Sequence, residues 1–269
     1  MIKQVDNKVF NLNKFQRDIY LFRNLKNDNN EIYSDEENYI VSFDRKNMSV
    51  LICTLDNIDI SLIPEIKEII YHFVTNYDKV NFICKKELYQ VLSQDIFNLI
   101  NEKGYFEMDL LTCDDVKTLK TCDGYLYIPT IFDRTILSKF LYNSYKECEN
   151  NNYLTYNEAE KIIEILMRDN RLYAWKNNDG KIVSMISYNN NGEEADLSHV
   201  YTIDYEKNKG CASNLIATIT KEIIKEDFIP MIFLKHDNYL GSLYRKVGYY
   251  VYNSLVCFNC SREKVKIKI

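Results

Sequence analysis

The residues of this chain best suited to chemistry sit in one stretch, HVYTIDYEKNKGCASNLIATITKEII, residues 199–224. Val200, Tyr201, Thr202 and Ile203 read as a strand. A charged loop, Glu206 to Lys209, leads to Gly210, and the small residues Cys211, Ala212 and Ser213 open a long amphipathic helix. The first amides of a helix lack intrahelical partners and carry partial positive charge. Small side chains let an anion approach those amides, and glycine allows the backbone angles that such a turn requires. Lys207, Asn208 and Lys209 would flank the anion, with the two lysines adding mobile positive charge. The chemistry this predicts is the cradling of a phosphate or diphosphate. An ordinary strand-to-helix loop with solvated lysines fits the same composition, because a single glycine before a helix is weak evidence.

Other chemistry is poorly supported. Cys257 and Cys260 have C-x-x-C spacing but end an apolar, strand-like run, NSLVCFNC, whereas a redox pair would open a helix. No further ligands lie nearby at zinc-site spacing, so no metal is expected. The eight cysteines are expected to be reduced thiols. A formal charge of −5 argues against nucleic-acid binding, which needs clustered Lys and Arg. The N-terminus has no apolar signal-peptide core, and no apolar run approaches the roughly 20 residues that cross a bilayer. A cytoplasmic protein without a membrane partner is the expectation. With 46% hydrophobic and 27% charged residues, the chain can bury a globular core.

The elements that must position the loop follow from periodicity. Asp179-Gly180 and Gly192 mark tight turns between three strands at about 171–177, 181–189 and 195–203. Helical stripes run along Leu137, Phe140, Leu141 and Tyr145, and along Ala159, Ile162, Ile163, Leu166 and Met167. Two more run along Leu215, Ile216, Ile219 and Ile223, and along Leu240, Leu243, Tyr244 and Val247. Further strands are expected at 125–131, 229–235 and 249–259. An antiparallel meander followed by a parallel crossover gives an α/β fold on a mixed sheet.

The first half echoes the second. LINEKGYFEMDLLTC (99–113) aligns with LYRKVGYYVYNSLVC (243–257), and VLICTLD (50–56) with HVYTID (199–204). This reads as an internal duplication. Gly104 would then match Gly248, each a left-handed residue closing a helix. The polar run DDVKTLKTCDG (114–124) is the expected divide, giving domains at 1–122 and 123–269. Between Asp56 and Glu65 the first copy has neither glycine nor basic residue, so it is expected to cradle no diphosphate.

Two ordered segments of the second half resemble the motifs of the GNAT superfamily of acetyl-CoA-dependent N-acetyltransferases. The first is Val200-Tyr201-Thr202 followed by Lys207-Asn208-Lys209-Gly210-Cys211-Ala212; the second is Leu243-Tyr244-Arg245-Lys246-Val247-Gly248-Tyr249. Lys207 stands where Arg or Gln is usual. The family Asn before the last helix corresponds to Asp237 by spacing and to Asn238 by residue type. The resemblance covers about 125–269 and implies a GNAT-like C-terminal domain, with a smaller, degenerate GNAT-like N-terminal domain before it.

The resemblance implies acetyl-CoA as cosubstrate, its pantetheine arm along Val200 to Thr202 and its diphosphate on residues 207–213. It also implies an oxyanion contact from the Tyr201 amide. Tyr244 would be the general acid for the leaving thiolate, although its place on an apolar stripe also suits a core tyrosine. The attacking amine must lose a proton, and Glu194, Asp196 and His199, on or beside the same strand, are the candidate bases. The expected partner is a small-molecule or peptide amine, and the expected assembly a monomer or homodimer. A catalytically silent CoA-binding or regulatory protein of the same fold is the alternative.

Overall fold

The computed structural model describes residues 31–55, 59–96, 100–147, 154–191, 193–238 and 240–261. Its strands and helices in chain order are β1 (Glu31–Ser34), β2 (Tyr39–Asp44), β3 (Ser49–Thr54), α1 (Ile63–Asn76), β4 (Lys79–Lys85), α2 (Lys86–Ile96) and β5 (Ile100–Thr112). They continue with β6 (Tyr125–Tyr127), α3 (Arg134–Glu147), α4 (Tyr156–Arg168), β7 (Leu172–Lys176), β8 (Ile182–Asn191) and β9 (Glu194–Thr202). The last are α5 (Cys211–Lys225), β10 (Ile229–Lys235), α6 (Leu240–Val247) and β11 (Tyr250–Ser261). Two compact units result: Met1–Leu110 with Asn253–Ile269, and Leu111–Tyr252. The expected divide at 114–124 lies inside the second unit, and the last described residues, 253–261, belong to the first. Strand β11 explains this, because it pairs antiparallel with β4 from Leu255↔Lys85 to Ser261↔Lys79 and buries Val256, Phe258 and Cys260 in the first core.

In the first unit β1, β2 and β3 form an antiparallel meander. Helix α1 then carries the chain over to β4, which lies parallel to β3. The stripe of Ile63, Ile66, Ile70 and Phe73 is buried on α1 together with Ile69 and Val74. Phe82 of β4 stacks on Phe258 of β11 at 5.2 Å. Cys257 and Cys260 are free, buried thiols, each pushed up to about 12 by burial; neither has the low pKa of a redox pair.

The order β3–α1–β4–α2–β5 repeats as β9–α5–β10–α6–β11, but the aligned glycines are not equivalent. Gly104 lies within β5 and has no positive φ. A Cβ there would collide with the Asn259 side chain, so close packing accounts for the glycine. Lys85, at the end of β4, is buried, and its Nζ donates to the Thr54 carbonyl at 2.8 Å. It ties together the strand ends that would have to part to admit a ligand. Residues 56–58, part of the loop expected to lack a cradle, lie outside the described residues.

The second unit has the strand order β10-β9-β8-β7-β6. Strands β6 to β9 are antiparallel neighbours, and β9 and β10 are parallel. The turn at Asp179-Gly180 places Gly180 at φ 75°, as the hairpin reading requires; Gly192 lies outside the described residues. The strand expected at 125–131 stops at Tyr127, because Thr130 and Asp133 form a capping box that starts a 3-10 helix leading into α3. A second capping box, Thr155 with Glu158, starts α4. No helix among the described residues is long and apolar enough to cross a membrane.

Gly248 closes α6 as expected, with φ 130° and its amide donating to Tyr244 O at 3.1 Å. A Cβ at this position would stand 2.6 Å from the Asp115 carbonyl. Gly248→Ala therefore combines backbone strain with a steric clash. It is expected to destabilise the protein by more than about 2 kcal/mol in denaturant unfolding, whereas Gly180→Ala, which meets nothing within 4 Å, is expected to destabilise less.

Candidate functional site

The site begins where two parallel strands stop pairing. Strands β9 and β10 are in register at Glu194, Ala195 and Asp196 with Ile229, Pro230 and Met231. Beyond that point β9 runs on to Thr202 and β10 to Lys235 without further partners in the ladder. A bulge on the other edge of β9 accompanies the parting. Met185 faces Tyr201 and Ser187 faces Ser198, so His199 and Val200 together stand opposite Ile186. His199 takes φ 54°, and such a bulge bends its strand and sharpens its twist. Between the parted strands lies a cleft of about 1050 Å³, bounded also by the loop after β9, by α6 and by the end of α3.

The loop after β9 forms one wall. Asn208 and Gly210 have φ of 64° and 96°, and Gly210 is the N-cap of α5. Among the described residues no backbone amide from Asn208 to Ser213 is paired with a backbone carbonyl outside the helices and strands, although the Cys211 amide contacts its own thiol. The first amide with such a partner is that of Asn214, which donates to Gly210 O at 3.0 Å. The Ser213 hydroxyl and the Asn214 amide group also donate to this carbonyl, at 2.9 Å and 3.0 Å. Side chains thus satisfy the turn's acceptor, while its amides lack backbone partners. Asn208, Gly210, Cys211, Ala212 and Ser213 all line the cleft. Small side chains, these amides and a helix N-terminus together suit a diphosphate.

The lysines are not the mobile charges that the sequence suggested. Lys207 Nζ lies 2.7 Å from Asp204 and 2.8 Å from Glu147, and 5.7 Å above the Tyr201 ring. Hydrogen bonds to Asp204 and Glu147 hold its pKa above the ordinary lysine value. Lys209 pairs with Glu206 at 3.3 Å. Glu147, at the end of α3, had no signal in the sequence that could connect it with a loop 60 residues away.

The candidate bases separate along β9. Glu194 is buried at the closed end, where β9 still pairs with β10. Asp196, at the last paired position, lines the cleft, as does His199 at the bulge. Both are half-buried. Burial lowers the His199 pKa below its ordinary 6.5, which keeps the imidazole neutral near pH 7. Tyr145 of α3 faces it, with ring centroids 6.2 Å apart, and also lines the cleft. The sequence showed Tyr145 only as a member of an apolar stripe.

Tyr244 joins its two readings. It is buried in the core, edge-on to Tyr249 at 5.8 Å, and it also lines the cleft. Asn238 lines the cleft and caps α6, its Oδ1 accepting the Leu240 amide at 2.9 Å. Asp237 is exposed, so of the two alternatives Asn238 faces the site. Val200, Tyr201 and Thr202 line the open side of β9. The Tyr201 amide does not point there. The Ile203 amide donates to Val183 O and the Tyr201 carbonyl accepts from Ser184, so both residues turn their backbone groups toward β8. Strand alternation turns the amide of Thr202 to the open side instead.

Residues 141–262 match the family described as acetyltransferase (GNAT) domain. No curated protein matches the chain. Among solved structures, it is similar to an acetyltransferase from the GNAT family of Colwellia psychrerythraea. That match has a TM-score of 0.62 and 11% identity, covering 97% of this chain and 100% of that one. It is also similar to a GCN5-related N-acetyltransferase from Sphaerobacter thermophilus, with a TM-score of 0.55 and 10% identity, covering 90% and 85% of the two chains. Identities this low establish the fold alone. Residues 141–262 are thus similar to the GNAT acetyltransferase domain, within a chain whose fold resembles that of solved GNAT acetyltransferases over nearly its whole length.

Proposed function

We propose that this chain is an N-acetyltransferase that moves an acetyl group from acetyl-CoA directly to a primary amine of a small molecule or peptide. The observation that carries the proposal is the row of amides without backbone partners from Asn208 to Ser213, at the mouth of the parted strands. Those amides and the α5 N-terminus hold the diphosphate, and Asn238 borders the same cleft. The bound thioester supplies an activated acyl carbonyl. Negative charge developing on its oxygen is stabilised by an open-side amide of β9, with Thr202 oriented for it. His199, neutral because it is buried, takes the proton of the amine; Asp196 is the second candidate, and Glu194 lies too far toward the closed end. Tyr244 returns a proton to the leaving sulfur. One coenzyme binds per chain, because Lys85 closes the corresponding strand ends of the first unit.

Release of free thiol from acetyl-CoA in the presence of an amine panel tests the proposal. Coenzyme-dependent thermal stabilisation without thiol release would identify a silent binder instead. Calorimetric titration is expected to find one coenzyme site per chain, and two would contradict the closed first unit. Tyr244→Phe keeps the ring packing, so kcat is expected to fall about 100-fold with coenzyme affinity unchanged. An equal fall in coenzyme affinity would make Tyr244 a structural residue.

The depressed pKa of His199 sets two pH responses. The acid limb of kcat/KM for the amine is expected below pH 6.5, where the imidazole protonates. The unfolded chain takes up this proton at higher pH than the folded one, so stability is full above 6.5 and declines as pH falls toward the folded pKa. His199→Asn tolerates the positive φ and is expected to remove both responses in rate and unfolding measurements. An unchanged acid limb would pass the base role to Asp196.

A further inference from the structure

Behind the cradle lies a pair of thiols that acyl transfer does not use. Cys122 Sγ, in the connector before β6, is 3.0 Å from Cys211 Sγ at the first position of α5, and both are free cysteines. The connector is held against the same turn by other contacts. The Asn214 side chain donates to Lys120 O at 3.1 Å as well as to Gly210 O, and a Cβ on Gly210 would stand 3.5 Å from Cys122 Cβ. Residues 120–122 thus form the rear wall of the turn whose front presents those amides.

We propose that Cys122 and Cys211 are a modification site, a dithiol that a low-molecular-weight disulfide converts to a reversible intrachain disulfide, weakening coenzyme binding. The inference rests on the coenzyme reading of the cradle. Cys122 is half-buried and opens the exchange, whereas Cys211 is buried and pushed up to about 12 by that burial and by its neighbour. The Cys122 thiolate attacks one sulfur of the small disulfide and expels its partner as a thiolate. Cys211 then loses its proton and attacks the Cys122 sulfur in the mixed disulfide, expelling the second small thiolate. Two protein thiols become one disulfide, and the small disulfide is reduced to two thiols. A sulfur–sulfur bond is about 2.05 Å long, so closure brings the two sulfurs about 1 Å closer than their 3.0 Å separation and pulls on both connector and helix. Whichever side yields, the rear wall shifts against Gly210 and displaces the converging amides.

The test is incubation of the full chain with oxidised glutathione, followed by peptide mapping and coenzyme titration. A disulfide-linked peptide pair containing residues 122 and 211 is expected, with coenzyme Kd about tenfold weaker and restored by dithiothreitol. Reduced Cys122→Ser is expected to bind coenzyme like the reduced wild type and to be insensitive to the oxidant. Absence of the 122–211 link, or a link that leaves Kd unchanged, would overturn the inference alone. Failure of the reduced wild-type chain to bind coenzyme would remove the transferase proposal and this inference together.

Discussion

Parallel pairing between β9 and β10 ends after Asp196 and Met231, and the rest of the site depends on that ending. A parallel ladder satisfies backbone donors and acceptors on both strands. Once it stops, the edges that β9 and β10 turn toward each other are no longer joined in that ladder, and an extended polar ligand can lie between them. The bulge at His199 accompanies the parting, while β9 stays in the ladder with β8. The first unit shows the contrary solution with the same order of elements. There β3 and β4 stay paired to Ile52 and Cys84, and Lys85 ties the remaining ends.

The electrostatics of the cradle differ from a simple reading of its lysines. Lys207 is held by Asp204 and Glu147, and Lys209 by Glu206, so the basic side chains are balanced by nearby carboxylates. Attraction for an anion then comes from the amides without backbone partners and the α5 dipole, which are fixed by the backbone. Binding of this kind is set by backbone geometry more than by net charge, which fits a chain whose overall charge is negative. Anything that shifts the first turn of α5 by a fraction of an ångström should therefore matter more than the loss of one surface charge.

Much of the second unit was legible in the sequence because its signals are local. The hairpin at Gly180, the stripes of α3 to α6 and the left-handed closure at Gly248 each depend on residues close together in the chain. The loop from Lys207 to Ser213 was legible for the same reason: strand, glycine and small residues lie in one run. What depended on distant partners was not. The pairing of Lys207 with Glu147 and the tilted contact of Tyr145 with His199 join elements far apart in sequence. The return of β11 to β4 depends on a ladder that no local pattern encodes. Gly104 misled because a glycine chosen for contact with Asn259 reads the same as one chosen for its dihedral angles. The direction of the Tyr201 amide was hidden by the register of β9 against β8, which the bulge at His199 shifts.

Backbone amide resonances followed during titration with coenzyme A, and separately with pantetheine lacking the diphosphate, test the central claim most directly. Coenzyme A should shift the amides from Asn208 to Ser213 strongly, while pantetheine should leave them near their free positions and perturb β9. Saturable coenzyme binding that leaves those six amides unmoved would contradict the account.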